Sequence, residues 1–206
     1  MLWHQIEMIV FGILCGSLLF GRTLPRLFKK IDVTELSTDH NPGTANAMKY
    51  AGIPIGMMCL VADILKGIIP IMLSIQMELL TGSLFPLIMA APVFGHAYSL
   101  YHHGKGGKAI AVSFGVMIGL TPIHKELLFL LCALYLFCSL IVVINPHTRR
   151  TRITFFCFAV GAVILLFLRQ IPLQICGGAV LIAGIVMHKN SLRQELAEEN
   201  TSLEIL

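Results

Sequence analysis

Two lysines and three glycines stand together at Gly104-Lys105-Gly106-Gly107-Lys108, directly ahead of an apolar run that starts at Ala109. Glycines let successive backbone N–H groups converge on an anion. A helix beginning at Ala109 would add a partial positive charge, and the lysines add full ones. The combination reads as a phosphate cradle. It is not a Walker A loop, which needs a different glycine spacing and a Ser or Thr after the lysine. The plainer reading is a flexible basic loop against lipid headgroups. His96 precedes this loop at the end of an apolar run. A second polar stretch, from Ser37 to Asn46, is rich in residues that turn the chain and bond to nearby backbone. Asp63 and Lys66 share one helical face inside another apolar run. Ionisable groups there are costly and face a bundle interior or a wet cavity. They form either an ion pair joining helices or a polar wall under a site. His188, Asn190 and Arg193 fall in the first turns of a charged, helical tail. His102 and His103 do not share a helical face with His96, so no metal site is expected.

The elements that must position these residues are apolar. Of 206 residues, 56% are hydrophobic and 13% charged, against about 25% charged in soluble domains. The charges are clustered between long uncharged runs. Seven candidate spans lie at 5–23, 53–77, 79–98, 109–121, 126–144, 153–168 and 171–187. A span needs about 20 apolar residues; the fourth is too short to cross alone. The opening MLWHQIEMIV lacks a basic leader region and carries Glu7, so the first helix is expected to be retained. The expected fold class is therefore all-α: a polytopic membrane helical bundle of about seven transmembrane helices, in one domain over residues 1–206. Most of the 15 lysines and arginines lie in loops 22–50, 99–108 and 145–152 and in the tail. These share one face of a seven-span bundle, which places the N-terminus outside and the C-terminus inside. The net charge of +4 records this topology and points to no nucleic-acid partner. The six cysteines lie in apolar stretches, form no CxxC, and read as buried thiols.

These pieces together resemble the bacterial acyl-phosphate:glycerol-3-phosphate acyltransferase family. Gly95-His96 through Gly104-Lys105-Gly106-Gly107-Lys108-Ala109-Ile110-Ala111 resembles the family's G-H-x-x-x-x-F-x-x-F-K-G-G-K-G-V-A without a gap. Tyr101 and Gly104 replace its phenylalanines, and Ala109 replaces its last glycine. Leu60 through Gly67 resembles L-V-x-D-x-x-K-G. Ile31-Asp32, followed by Asn41-Pro42-Gly43-Thr44-Ala45-Asn46, resembles I-D-I-R-x-x-G-S-G-N-P-G-A-T-N-x-x-x-R, with one extra residue. Here Thr34 and Lys49 replace arginines, and Ser37, Thr38, Asp39 and His40 replace the Gly-Ser-Gly. His188, Asn190, Arg193 and Glu199 resemble H-x-x-N-I-x-R-L-x-x-G-x-E, one residue shorter, with Ala197 for the glycine and Thr201 for a following lysine.

The resemblance implies acyl transfer from acyl phosphate to glycerol 3-phosphate, giving 1-acylglycerol 3-phosphate, at the cytoplasmic face of a bacterial plasma membrane. The donor is already activated, so no cofactor, metal or acyl-enzyme is needed. The protein must position the phosphate, stabilise the oxyanion and help remove a proton. In this scheme His96 (as base), Lys105 and Asn190 are catalytic. Ser37, Asn41, Gly43, Asn46, Lys49, Lys66, Gly106, Gly107, Lys108, His188 and Arg193 bind substrate. The implied partners are acyl phosphate, glycerol 3-phosphate and membrane lipid; a homo-oligomer is compatible with this. The other common glycerolipid acyltransferases place Asp five positions after His, and no histidine here has one. The alternative is a non-catalytic or altered-acceptor paralogue that binds a phosphorylated lipid on the same scaffold. A transporter fits less well, because no internal repeat is evident.

Overall fold

The computed structural model describes residues 2–203, and side chains for residues 2–195. Ala197, Glu199 and Thr201 therefore lie outside the described side chains. Among the described residues the protein is all-helical, with no strand. It comprises α1 (Leu2–Ser17), α2 (Phe20–Lys29), α3 (Val33–Leu36), α4 (Thr44–Ala51), α5 (Ile53–Gln76), α6 (Phe85–Ala97), α7 (Ile110–Gly119), α8 (Glu126–Leu136), α9 (His147–Arg169) and α10 (Leu173–Leu203).

Each expected apolar stretch is helical, but not each is a full-length span. Among the described residues, three segments are long and apolar enough to cross a membrane: α5, α9 and residues 173–195 of α10. The pair α1–α2, bent by 43°, supplies a fourth if it counts as one span. The stretch expected as one helix over 79–98 is split. A 3₁₀ turn occupies Leu79–Thr81, and α6 starts only at Phe85, with a proline in its first turn. Proline suits that position because its missing N–H has no helical partner there. The 13 residues of α6 rise about 20 Å, less than the ~30 Å of a hydrocarbon core. Similarly α7 has 10 residues, and α8 has 11 before it widens into a π turn at Phe137–Ile141. The tail expected to be helical continues α10 without a break.

The short helix α6 is the centre of the bundle. Phe85, Ile88, Met89 and Val93 on it are fully buried against α1, α5, α7 and α10. Phe155 and Phe158 of α9 and Ile175, Ala179 and Ile182 of α10 complete that core. The outer surface is apolar too: Met57, Val61, Phe129, Leu140, Phe156 and Phe167 are all exposed. Soluble monomers rarely expose so continuous an apolar area; here it faces lipid. A second, smaller cluster of Ala47, Ala51, Ile55 and Cys59, with Leu24 and Ile31 packed on it, fastens α4 and α2 to the start of α5. That cluster fixes where the polar loop between α3 and α4 comes to rest.

Candidate active site

The first layer of the site lies inside the bundle. The break between α1 and α2 frees backbone carbonyls that no intrahelical N–H reaches. In an apolar environment these must be satisfied by other groups. The Lys66 ammonium donates to Gly16 O at 3.0 Å and Leu18 O at 2.5 Å. Ser99 donates through Oγ to Ser17 O at 2.6 Å. Lys66 also lies 2.9 Å from Asp63 Oδ1 and 2.7 Å from His96 Nδ1. Asp63, Lys66 and His96 are 2%, 4% and 4% exposed, so this knot excludes water. The ion pair therefore joins α5 to the α1–α2 break and to α6, and its lysine faces inward rather than into the loops. An ammonium can only donate. While Lys66 occupies Nδ1, the ring proton of a neutral His96 resides on Nε2, which is then a donor and not a base.

The glycine loop rests on the end of α6. Gly107 N–H donates to His96 O at 2.9 Å. A Cβ on Gly107 would run into the His96 ring at Nε2, and a Cβ on Gly106 into the carbonyls of His96 and Ala97. These two glycines permit close approach of the loop to His96. The Gly107 amide is thereby committed inside the protein, and the loop's positive charge comes chiefly from its side chains. Ala109, at the start of α7, has φ of +61°. It adopts the left-handed region in which residues other than glycine are strained, at the position where the resembled family carries glycine.

Three elements converge on the loop's outer side. From between α3 and α4 comes Asp39, whose Oδ2 accepts from Lys108 Nζ at 2.9 Å. Its Oδ1 accepts from Asn46 Nδ2 at 2.8 Å and from Asn41 N–H at 3.2 Å. From α10 comes Arg193, which donates to Asp39 O at 2.8 Å and to Gly106 O at 2.6 Å. Asn190, one turn earlier, donates to Val186 O at 2.8 Å and sits 3.4 Å from Lys108 O. Ser37 Oγ, Asn41 Oδ1, Asn190 Oδ1 and Arg193 Nε are buried without a hydrogen-bond partner. Burying polar atoms unpaired is costly, and these four lie around one basic loop. Burial alone would raise the Asp39 carboxyl. The hydrogen bonds from Lys108 and Asn46 and the Lys108 charge outweigh it and hold the group at about 2.

Of the residues expected at the site, the structure brings together Asn41, Asn46, Gly106, Gly107, Lys108, Asn190 and Arg193, with His96 behind Gly107. Ser37 is buried beside them, and Gly43 caps α4 with its α-carbon against the Asn41 amide. Lys105 is on the same loop, with its side chain exposed and its backbone N–H donating to His102 O at 2.9 Å. Lys49 is turned outward over the Tyr50 ring, 5.0 Å from its centroid. Thr34 bonds to Asp32 through both N–H and hydroxyl. His188 is exposed, with Nδ1 2.6 Å from Tyr98 Oη. Sequence reasoning missed Asp39, the hub of the cluster. The available signal was its register: counting back from Asn41-Pro42-Gly43, it stands where the resembled family has its serine. Asp32 was also missed as the N-cap of α3 and the partner of Arg22 at 2.8 Å and Arg26 at 2.6 Å.

An apolar helical bundle with a basic, glycine-lined polar cluster at the ends of its helices is a membrane protein built to meet an anion. A profile described as glycerol-3-phosphate acyltransferase matches residues 6–198, and the chain belongs to that family. A glycerol-3-phosphate acyltransferase of Maridesulfovibrio salexigens is 31% identical over 197 residues, covering 94% of this chain and 93% of the relative. One of Solidesulfovibrio magneticus is 30% identical over 184 residues, covering 88% and 85%. The crystal structure of PlsY, an integral membrane glycerol 3-phosphate acyltransferase, in its glycerol 3-phosphate form superimposes with a TM-score of 0.77 at 21% identity, over 97% of this chain and 93% of that one. Its lysophosphatidic acid form gives 0.74 at 20% identity. These two matches establish the helical membrane fold.

Proposed function

We propose that this chain transfers an acyl group from acyl phosphate to the hydroxyl of glycerol 3-phosphate, releasing inorganic phosphate and 1-acylglycerol 3-phosphate. The observation that carries the reading is the convergence of the Asn41–Asn46 segment, the Gly104–Lys108 loop and Asn190–Arg193 on one polar cluster. The relatives' shared name supplies the acceptor. In the reaction the acceptor oxygen bonds to the acyl carbon, the bond from that carbon to the phosphate oxygen breaks, and the hydroxyl proton ends on the departing phosphate. Lys105, Lys108 and Arg193 hold phosphate charge and make it a better leaving group. Asn41, Asn46 and Asn190 orient the polar head groups, and the acyl chain stays in lipid. His96, with Lys66 fixing its ring, acts as an Nε2–H donor to developing negative charge. Lys66 thus serves the site from beneath.

The single domain is read as crossing a bacterial plasma membrane seven times, with the N-terminus outside and the cluster in the cytoplasm. Cysteines placed at Thr44 and at Lys125 should be labelled from opposite sides; labelling of both from one side would overturn that topology. For the chemistry, purified protein is incubated with acyl phosphate and glycerol 3-phosphate, and lysophospholipid and phosphate are measured. Stoichiometric appearance of both is expected. Phosphate-ligand binding without any product would favour the non-catalytic paralogue instead.

A further inference from the structure

Among the described residues, Asp39 is the acidic side chain drawn into the basic cluster, and it takes up the groups that a phosphate would need. Its two carboxylate oxygens collect Lys108 Nζ, Asn46 Nδ2 and the Asn41 amide. Its backbone carbonyl collects one prong of Arg193. Ammonium and amide N–H donors of this kind serve a carboxylate and a phosphate alike. The Asp39 side chain is 42% exposed while Lys108 is 16% exposed, so the carboxylate caps the lysine from the open side. Nearby, Asn41 Oδ1, Asn190 Oδ1 and Arg193 Nε are buried without a hydrogen-bond partner, so this arrangement leaves polar groups of the cluster unsatisfied.

We propose that Asp39 is a resident anion of the cradle: it holds Lys108 and Asn46 until the phosphate of an incoming substrate displaces it, and so weakens this chain's affinity for phosphorylated substrate. The proposal rests on reading the cluster as a phosphate site. A dianionic phosphate that enters beside an ionised carboxylate meets like charge within a few ångströms. One that replaces it must break the Lys108 and Asn46 contacts first. Either route raises the concentration needed for half-occupancy. Asp39 lies on the loop between α3 and α4, with its side chain on the open side of the cluster. The alternative is that Asp39 is only a clip holding the loop in place. The two readings give opposite signs. Removing a clip loosens the site and weakens binding, whereas removing a competitor strengthens it.

The test compares wild type with Asp39→Asn, Asp39→Ser and Asp39→Glu, purified in detergent. Binding of inorganic phosphate is measured by calorimetry, and the Michaelis constants for acyl phosphate and glycerol 3-phosphate are each measured with the other saturating. Asp39→Asn keeps the shape and the bonds from Asn46 and the Asn41 amide but loses the charge. It should bind phosphate roughly two- to fivefold more tightly, the scale expected for a partly screened ion pair. Asp39→Ser should shift the same way, which guards against a fault peculiar to one variant. Asp39→Glu keeps the charge and should not gain affinity. The Michaelis constant that falls identifies which substrate's phosphate uses Lys108. Unchanged or weaker phosphate binding in both neutral variants would overturn the proposal, whatever the turnover. Tighter phosphate binding in proteins that make no lysophospholipid would leave Asp39 as the resident anion and overturn the acyltransferase reading instead.

Discussion

Replacing Lys66 with Met tests the buried knot directly. Methionine is close to lysine in length and flexibility but brings no charge and no donor. The change strands the Asp63 carboxylate, 2% exposed, without its counter-ion. It also leaves the carbonyls of Gly16 and Leu18 and the Nδ1 of His96 without a donor. Removing one partner of a buried pair costs about 3–5 kcal/mol, and each lost hydrogen bond to a charged group about 1.5–3 kcal/mol more. Relaxation and protonation of Asp63 will absorb part of that sum, so a loss of about 3–5 kcal/mol is expected. That is a large share of the 5–15 kcal/mol that typically separates folded from unfolded states. The Asp63→Asn/Lys66→Met double variant removes the orphan charge while still losing the lysine. It should be more stable than Lys66→Met alone, a non-additivity that a double-mutant cycle measures. Thermal unfolding in detergent gives the stabilities, and turnover gives the second readout. With its Nδ1 donor gone, His96 loses its fixed tautomer, and kcat should fall about a hundredfold or more. If Lys66→Met were as stable as wild type, or less damaged than the double variant, the knot would not be what holds the α1–α2 break.

Three further outcomes follow from particular positions. Ala109→Gly relieves a left-handed backbone, φ +61°, and should stabilise the protein by about 1 kcal/mol, the left-handed penalty less the greater freedom of unfolded glycine, read as a higher midpoint of thermal unfolding. Gly107→Val places a branched side chain against the His96 ring, so turnover should collapse while membrane insertion, followed by fractionation, stays normal; full activity would refute the close packing. The Asp39 carboxyl is held at about 2 against a usual value of 3.8. A carboxyl depressed by folding adds stability above its unfolded value and loses it as the pH falls through the folded one. The stability difference between wild type and Asp39→Asn should therefore be constant near neutrality and shrink as pH falls from about 4 to about 2. A difference independent of pH across that window would show that the ion pair with Lys108 contributes nothing.

Sequence by itself determined the solvent and the secondary structure. Long uncharged runs belong in lipid, and lipid leaves the backbone little choice but helix; each of the seven apolar stretches is largely helical for that reason, though those at 5–23 and 79–98 are broken. It also determined that Gly104–Lys108 is the basic loop and that Asp63 and Lys66 meet, because i and i+3 on a helix are neighbours whatever surrounds them. What it did not determine was every contact made across the bundle. Lys66 faces the carbonyls of a helix break 48 and 50 residues away, and the break becomes visible only when α1 and α2 are seen at 43° to one another. The role of the two loop glycines changed for the same reason. Spacing suggested amides open to an anion, but the packing of the loop on α6 gives the Gly107 amide to His96 and fills the space beside both α-carbons. Asp39 looked like one turn residue among several until the fold of α2, α4 and α5 set it against a lysine 69 positions later and an arginine 154 positions later. Local pattern fixes which groups exist and which face of an element they share; only the closing of the chain decides which charges meet.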